Sequence, residues 1–315
     1  MPHRLGTLLV VFSIAGFVPS SARALPKASG RTPVVVDTDI GDDIDDAFAL
    51  AMVIQCPGLE LRAVTTVTGD TEARARIAAK MLWEAGLRNV PVAAGVPDQR
   101  PSSPQERWAA GFTSPALFPV GAIALLHAEV QQSPGTLVLL AFGPLTNLAG
   151  LIRQHPEDKQ KIREIALMGG SISRGYTPGS GPTPEYNIAA DAASSQAVFR
   201  SGIPLRVAPL DVTAGLQLET VPRDAIFARH TPLTESLHAL YTVWGQPTPT
   251  LHDAMAVALL TRPDLTKTEP LSIEVGQDGI THVVTKVPEN ATVALQTDPA
   301  AFIRYYVSLF QPAPI

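Results

Sequence analysis

Six aspartates, Asp37, Asp39, Asp42, Asp43, Asp45 and Asp46, fall within the run VVVDTDIGDDIDDAFAL near the start of the chain. Carboxylates at this density repel one another unless a cation, or protonation of some of them, relieves the charge. Oxygen donors with no cysteine nearby suit Ca²⁺ or Mg²⁺ better than zinc, and a flexible many-oxygen loop suits Ca²⁺. Two or three of these acids could instead serve the N-terminus of the following helix, where the macrodipole favours negative charge, but that role does not account for all six. The run is not an EF-hand, because Gly41 stands at the third ligand position and no glutamate closes the loop. Other polar groups follow later apolar runs. Asp70 comes after LRAVTTVTG, Gly143-Pro144 after LVLLAF, Gly169-Gly170 after IALM and Asp211 after LRVAPL.

The elements that must position these residues read as βα units. From Thr32 onward short β-branched runs alternate with longer helical stretches, the pattern of an open, mostly parallel α/β sheet flanked by helices. Strands are predicted over residues 33–37, 61–67, 92–94, 137–141, 165–168 and 205–210, and helices over 45–55, 71–85, 122–131, 145–155 and 191–201. A further helix begins near His252, residues 272–296 read as a hairpin plus a strand, and a last helix covers 299–310. The Pro/Ser/Gly-rich stretches 97–104 and 176–184 are loops. Every polar group named above leaves the carboxyl end of a strand, the edge where open α/β sheets bind ligands.

The chain has 315 residues with a formal charge of −5, a balance that argues against nucleic acid or an anionic membrane as partner. With 45% hydrophobic and 17% charged residues it has the composition of a folded protein with a large core, not of a disordered one. Its single cysteine, Cys56, excludes an internal disulfide framework and a multi-cysteine metal site. At the N-terminus, His3 and Arg4 precede the apolar run LLVVFSIAGFV, and Ala22-Arg23-Ala24 supplies the small-x-small pattern of a cleavage site. The run is too short for a permanent membrane span. Residues 1–24 are therefore expected to be a signal peptide and 25–315 a single exported domain, periplasmic or secreted, with no membrane association after cleavage.

The motifs together resemble the inosine-uridine preferring nucleoside hydrolases. DTDIGDDIDDAFAL is similar to that family's N-terminal aspartate motif in a longer variant, with two residues inserted before the final DDA. VTTVTGD, VPVAAG, GPLTNLA, MGGS, EYNIAAD, LDVT and HDAMAVA follow in family order across nearly the whole mature chain. The resemblance implies hydrolysis of ribonucleosides to base and ribose, with a Ca²⁺ held by Asp39, Asp46, Asp253 and the backbone carbonyl of Phe142. It implies Asp39 as general base and Asp45, Glu185 and Asn187 as ribose ligands. Asp70 follows in the same group, standing where the family has an asparagine. His252 matches a histidine beside the leaving base, and its ordinary pKa of about 6.5 would let it donate a proton there. Because of the insertion, Asp42 or Asp43 could replace Asp45 or Asp46. A homodimer or homotetramer is implied as well.

The chain also departs from the family pattern. Gly179 stands where an asparagine that contacts the sugar 5′-hydroxyl is usual, and no histidine occurs between Val96 and Phe118. Trp108 and Phe112 could stack on a base there or pack in the core. Asp211 and Asn147 read as structural, and Cys56 as a small buried hydrophobe. Two other classes stay open. A haloacid-dehalogenase-like phosphatase shares the DTD after the first strand, but Gly41 and the lack of a downstream lysine motif count against it. A non-catalytic nucleoside or sugar binder on the same fold would hold one equivalent and release no ribose.

Overall fold

Three consecutive valines nucleate the first strand, β1 (Thr32–Thr38). β-Branched side chains suit the pleated backbone, and Val34, Val35 and Val36 are fully buried. Alternation sends Val34 and Val36 into the core on one face and Val35 into the core on the other, as a strand covered on both sides requires. Burying each such side chain stabilises the fold by roughly 1.5–3 kcal/mol. The computed structural model describes Met1 and residues 30–101, 103–117 and 121–311. The chain divides into two units, Met1–Gly30 and Arg31–Ile315, and all the described secondary structure belongs to the second. The leader expected over residues 1–24 lies, Met1 aside, outside the described residues.

After β1 come α1 (Asp45–Gln55), β2 (Leu59–Thr66), α2 (Thr71–Glu84) and β3 (Val92–Ala94). The chain continues through α3 (Ala122–Gln132), β4 (Val138–Ala141), α4 (Thr146–Gln154), β5 (Glu164–Met168), α5 (Tyr186–Ala189), α6 (Ala192–Phe199) and β6 (Leu205–Ala208). The last part holds α7 (Leu210–Thr213), α8 (Thr220–Phe227), α9 (Pro232–Trp244), α10 (Ala254–Thr261), β7 (Thr266–Leu271), β8 (Ile273–Val275), β9 (Thr281–Val283), β10 (Ala291–Thr297) and α11 (Pro299–Ser308). Eight strands form one sheet in the order β3-β2-β1-β4-β5-β6-β10-β7, and β8 pairs with β9 as a separate hairpin. Within the large sheet every pairing is parallel except β10 with β7. One core packs Phe48 of α1, Ile77 of α2, Leu237 of α9, Val257 of α10 and Phe302 of α11 against the sheet. The opposite core packs Leu126 of α3, Leu148 of α4 and Val198 of α6.

The order places a switch point between β1 and β4. The chain first moves outward from β1 to β3, then returns to the other side of β1 at β4, so the loops leaving β1 and β4 part and open a crevice at the carboxyl edge. No helix among the described residues is long and apolar enough to cross a membrane.

Four elements differ from the sequence expectation. The strand predicted over 205–210 stops at Ala208, because Pro209 has no N–H for the ladder and instead opens the short helix α7. β7, sequence TKTEPL, is exposed along most of its length and exists through pairing with β10 rather than burial. Its charges and Pro270 suit an edge strand. Helices α8 and α9 occupy a stretch with no earlier assignment, and α9 is bounded by a Thr231–Thr234 capping pair, Pro232 at its first turn and Gly245 in the left-handed conformation at its end.

Candidate active site

Asp39 leaves β1 at the switch point, and α1 starts six residues later with Asp45 and Asp46 in its first turn. These two acids do not cap that helix: the N-cap is Ile44, which makes no side-chain cap bond. Asp253 likewise stands at the N-cap of α10 without a capping bond from its side chain. The aspartates that do cap helices are others, such as Asp70, Asp191 and Asp298. Asp45, Asp46 and Asp253 are buried, and one carboxylate oxygen from each lies within 4.8 Å of the other two. Thr38 Oγ1 donates a short hydrogen bond to Asp46 Oδ1.

Burial of several carboxylates together disfavours their ionised forms. It holds Asp45, Asp46 and Asp253 well above the usual carboxylate range, and their mutual repulsion adds to the effect. Burial also pushes Asp39 up to about 7, against the pull of the Arg74 guanidinium. Asp39, Asp45, Asp46 and Asp253 line one cavity of about 290 Å³ together with Phe142, Glu185, Asn187 and His252. The two acids of the inserted stretch line it from the rim: both are exposed, Asp42 is paired with Arg74 at 2.7 Å, and Asp43 accepts from the Ile44 N–H.

Glu185 and Asn187 form the opposite wall. The Glu185 carboxylate accepts from the backbone N–H groups of Gly170 (2.9 Å), Asn187 (3.0 Å) and Ile188 (3.2 Å), which fix its orientation at the start of α5. Burial still raises its pKa, offset in part by those donors. Asn187 Nδ2 donates to the carbonyls of Phe142 (2.8 Å) and Met168 (3.2 Å), which leaves the amide oxygen as its polar atom for a ligand. The same bond places the Phe142 carbonyl, at the end of β4, on the cavity wall.

His252 reaches the cavity too, with Nδ1 3.0 Å from Thr213 Oγ1 and its ring edge-on to Tyr176. The sequence argument for an ordinary imidazole does not survive, since burial pushes its pKa down to about 4 and makes it neutral near pH 7. Asp70 is not brought to this cavity. It is exposed, its carboxylate accepts from the Ala73 N–H at 2.9 Å to cap α2, and it lines a separate cavity of about 800 Å³ with Glu72, Arg76 and Arg100. Trp108 and Phe112 pack against the core rather than into the site, Trp108 under Lys80 and Phe112 edge-on to Trp83. Asn147 donates to Asp37 Oδ1 at 2.8 Å, and Asp211 accepts from the N–H groups of Ile172 and Ser173.

Sequence reasoning missed Arg74. Its side chain is almost wholly buried and clamps the aspartate loop, donating from Nε to the Thr68 carbonyl, from Nη1 to the Asp39 and Ile40 carbonyls and from Nη2 to Asp42. A signal existed: Arg74 shares the i, i+3, i+4, i+7 face of α2 with the buried Ile77, Ala78 and Met81, a place where an arginine needs an internal partner. Tyr176 and Tyr186 were missed as well. Both line the cavity, Tyr176 reaching Glu185 at 3.4 Å and Tyr186 bonded to Arg100.

A doubly covered, mostly parallel sheet with an acidic pocket at its switch point defines a hydrolase of the nucleoside hydrolase fold, and the comparisons agree. Residues 34–304 match the inosine-uridine preferring nucleoside hydrolase family. The non-specific ribonucleoside hydrolase RihC of Escherichia coli (strain SMS-3-5 / SECEC) is 36% identical over 302 residues, covering 86% of this chain and 96% of that protein. RihC of Shigella boydii is also 36% identical, over 300 residues with the same coverage. A solved plant nucleoside hydrolase superposes with a TM-score of 0.78 at 21% identity, covering 89% of this chain and 98% of its own. The inosine-uridine preferring nucleoside hydrolase of Bacillus anthracis gives 0.75 at 20% identity, covering 89% and 99%. The chain belongs to the inosine-uridine preferring nucleoside hydrolase family and is thereby an N-glycosyl hydrolase.

Proposed function

We propose that the protein hydrolyses the N-glycosidic bond of ribonucleosides, giving free base and ribose. The observation that carries this reading is the convergence of Asp39, Asp45, Asp46, Asp253, Glu185 and Asn187 on one cavity in a chain of this family. Its similarity to the non-specific ribonucleoside hydrolases of enteric bacteria supports a broad range of ribosides.

The donor set fits a hard divalent cation. Buried carboxylates that must otherwise hold protons, with a backbone carbonyl beside them and no thiol or second imidazole among the lining residues, match calcium chemistry. Asp39, Asp46, Asp253 and the Phe142 carbonyl would hold Ca²⁺; of these only Asp46 and Asp253 share the close carboxylate group, whose third member is Asp45, while Asp39 and Phe142 line the same cavity. When bound there, the ion would orient the ribose 2′- and 3′-hydroxyls and ease deprotonation of a neighbouring water.

Asp39, on the wall of the same cavity, would accept that proton as the general base. As the bond from C1′ to the base nitrogen breaks, positive charge grows on the ribose, and the carboxylates around it stabilise that charge in a poorly solvated site. Glu185 and the Asn187 amide oxygen hold the sugar hydroxyls. His252, tethered to Thr213, would sit beside the departing base, and in the tautomer in which Thr213 donates to Nδ1 its Nε2–H would be the hydrogen-bond donor to that base. Export rests on the charged start, apolar run and Ala-Arg-Ala of the N-terminus.

A reducing-sugar assay over a panel of purine and pyrimidine nucleosides tests the proposal. Catalytic release of ribose is expected, with Asp39→Asn folded but slowed by about 10² or more because an amide takes no proton from water. Binding of one equivalent without ribose release would favour the binder on the same fold, and full turnover by metal-loaded Asp39→Asn would remove Asp39 from the base role.

A further inference from the structure

Helix α4 starts at the carboxyl edge beside the acidic cavity and runs back to the opposite edge of the sheet, where it ends at His155. There the His155 imidazole stacks on that of His127 from α3, ring centroids 3.7 Å apart and planes 18° apart. Both side chains are about one-third exposed. Acids surround the pair. Glu157 lies in the turn after Pro156, its carboxylate 3.5 Å from His155 Nδ1. Asp158, almost wholly buried, bonds His127 Nδ1 at 2.7 Å and is steadied by the Gln131 amide.

We propose that His127, His155 and Glu157 form a second metal site, for a divalent ion of the zinc, nickel or copper class, far along the chain from the aspartate loop and at the other edge of the sheet. A nitrogen of each ring and an oxygen of Glu157 lie within 4.8 Å of one another. Zinc bonds of about 2.0–2.2 Å put tetrahedral donors about 3.4 Å apart, so on binding the two rings would turn out of their stack to aim both in-plane lone pairs at one ion. Two imidazoles and one carboxylate select this class of ion over calcium. Asp158 behind His127 supplies the partner that ligating histidines usually have: with Nδ1 held by a buried carboxylate, the ring is oriented and Nε2 is the nitrogen left for the metal. The site would tie α3 to the end of α4 and take no part in nucleoside hydrolysis.

Zinc is the probe, titrated into untagged protein with Ca²⁺ kept saturating so that the aspartate site is filled. One zinc equivalent is expected to bind, X-ray absorption should count two imidazoles on it, and the thermal midpoint should rise because the ion binds only the folded form. The imidazole count is diagnostic, since the acidic cavity offers His252 alone. His127→Gln and His155→Gln should each weaken zinc binding by about tenfold or more while leaving ribose release unchanged. Zinc held equally well by the double variant overturns the proposal, as does a zinc signal with one imidazole or none, or no binding below the millimolar range. If either variant fails to fold, the imidazole count on the unaltered protein decides alone.

Discussion

Asp39 keeps its place partly because a residue with no side chain stands next to it. A Cβ added at Gly143 would lie 2.7 Å from Asp39 Oδ1 and 2.9 Å from the Val67 side chain, so Gly143→Ala must push the carboxylate aside. Turnover should fall at least tenfold with little change in thermal midpoint, because small misplacements of reacting groups cost rate steeply. Gly181→Ala, which meets nothing within 4 Å, is the control, and equal activity of the two variants would refute the argument. The role of His252 is open to a similar contrast. If it serves the leaving base, His252→Ala should slow inosine far more than p-nitrophenyl riboside, whose leaving group departs without help, by a margin of order 10². Equal slowing in protein that still binds Ca²⁺ would place His252 elsewhere. The aspartate cluster was legible from residue type and spacing, whereas Glu185 and Asn187 were legible only through the resemblance of EYNIAAD to the family motif. Asp70 was not, because at a strand end a carboxylate that caps the next helix reads the same as one that meets a ligand.

At the scale of elements, α2 holds the loop between β1 and α1 in shape. The loop presents carbonyls, not its own helix cap, and the fork of Arg74 ties two of them, those of Asp39 and Ile40, to the Thr68 carbonyl in the segment between β2 and α2. A lysine keeps the charge but cannot span these acceptors. Arg74→Lys is expected to lower the unfolding free energy by about 2–3 kcal/mol as buried carbonyls lose donors, and to weaken Ca²⁺ affinity in parallel. Unchanged midpoints in denaturant and unchanged affinity would show that the clamp is dispensable. Central strands were visible in the sequence because burial on both faces writes an unbroken apolar run, as in VVVD and LVLLA. β7 was invisible because its place is set by a backbone partner, and pairing leaves no mark on side-chain pattern. α9 carried its start and stop signals openly and was passed over between the motifs on either side.

Across the whole molecule, buried acid sets the response to pH. Burial holds Asp37, whose Oδ2 finds no partner, from 3.8 up to about 7. Between those values the unfolded chain releases the proton while the fold retains it, so stability falls as pH rises, by about 4 kcal/mol from this group at about 1.4 kcal/mol per pH unit. Asp39, Asp45, Asp46 and Asp253 push in the same direction. Chelated protein should therefore melt at a higher temperature near pH 5 than near pH 7.5, and Ca²⁺ should reverse the order by replacing the protons at the aspartate cluster. A chelated protein whose midpoint is flat or rises over that range would contradict this.

The aspartates of the cavity come from distant parts of the chain, Asp39 to Asp46 from the first strand and helix and Asp253 from the start of α10. A polypeptide still emerging from the ribosome, or one clipped before residue 253, owns half a cage. It carries the repulsion of the aspartate loop without the carboxylate of Asp253 that joins it in the folded chain. Capture of the cation then works as a completeness test, passed only by chains whose last third has docked onto their first.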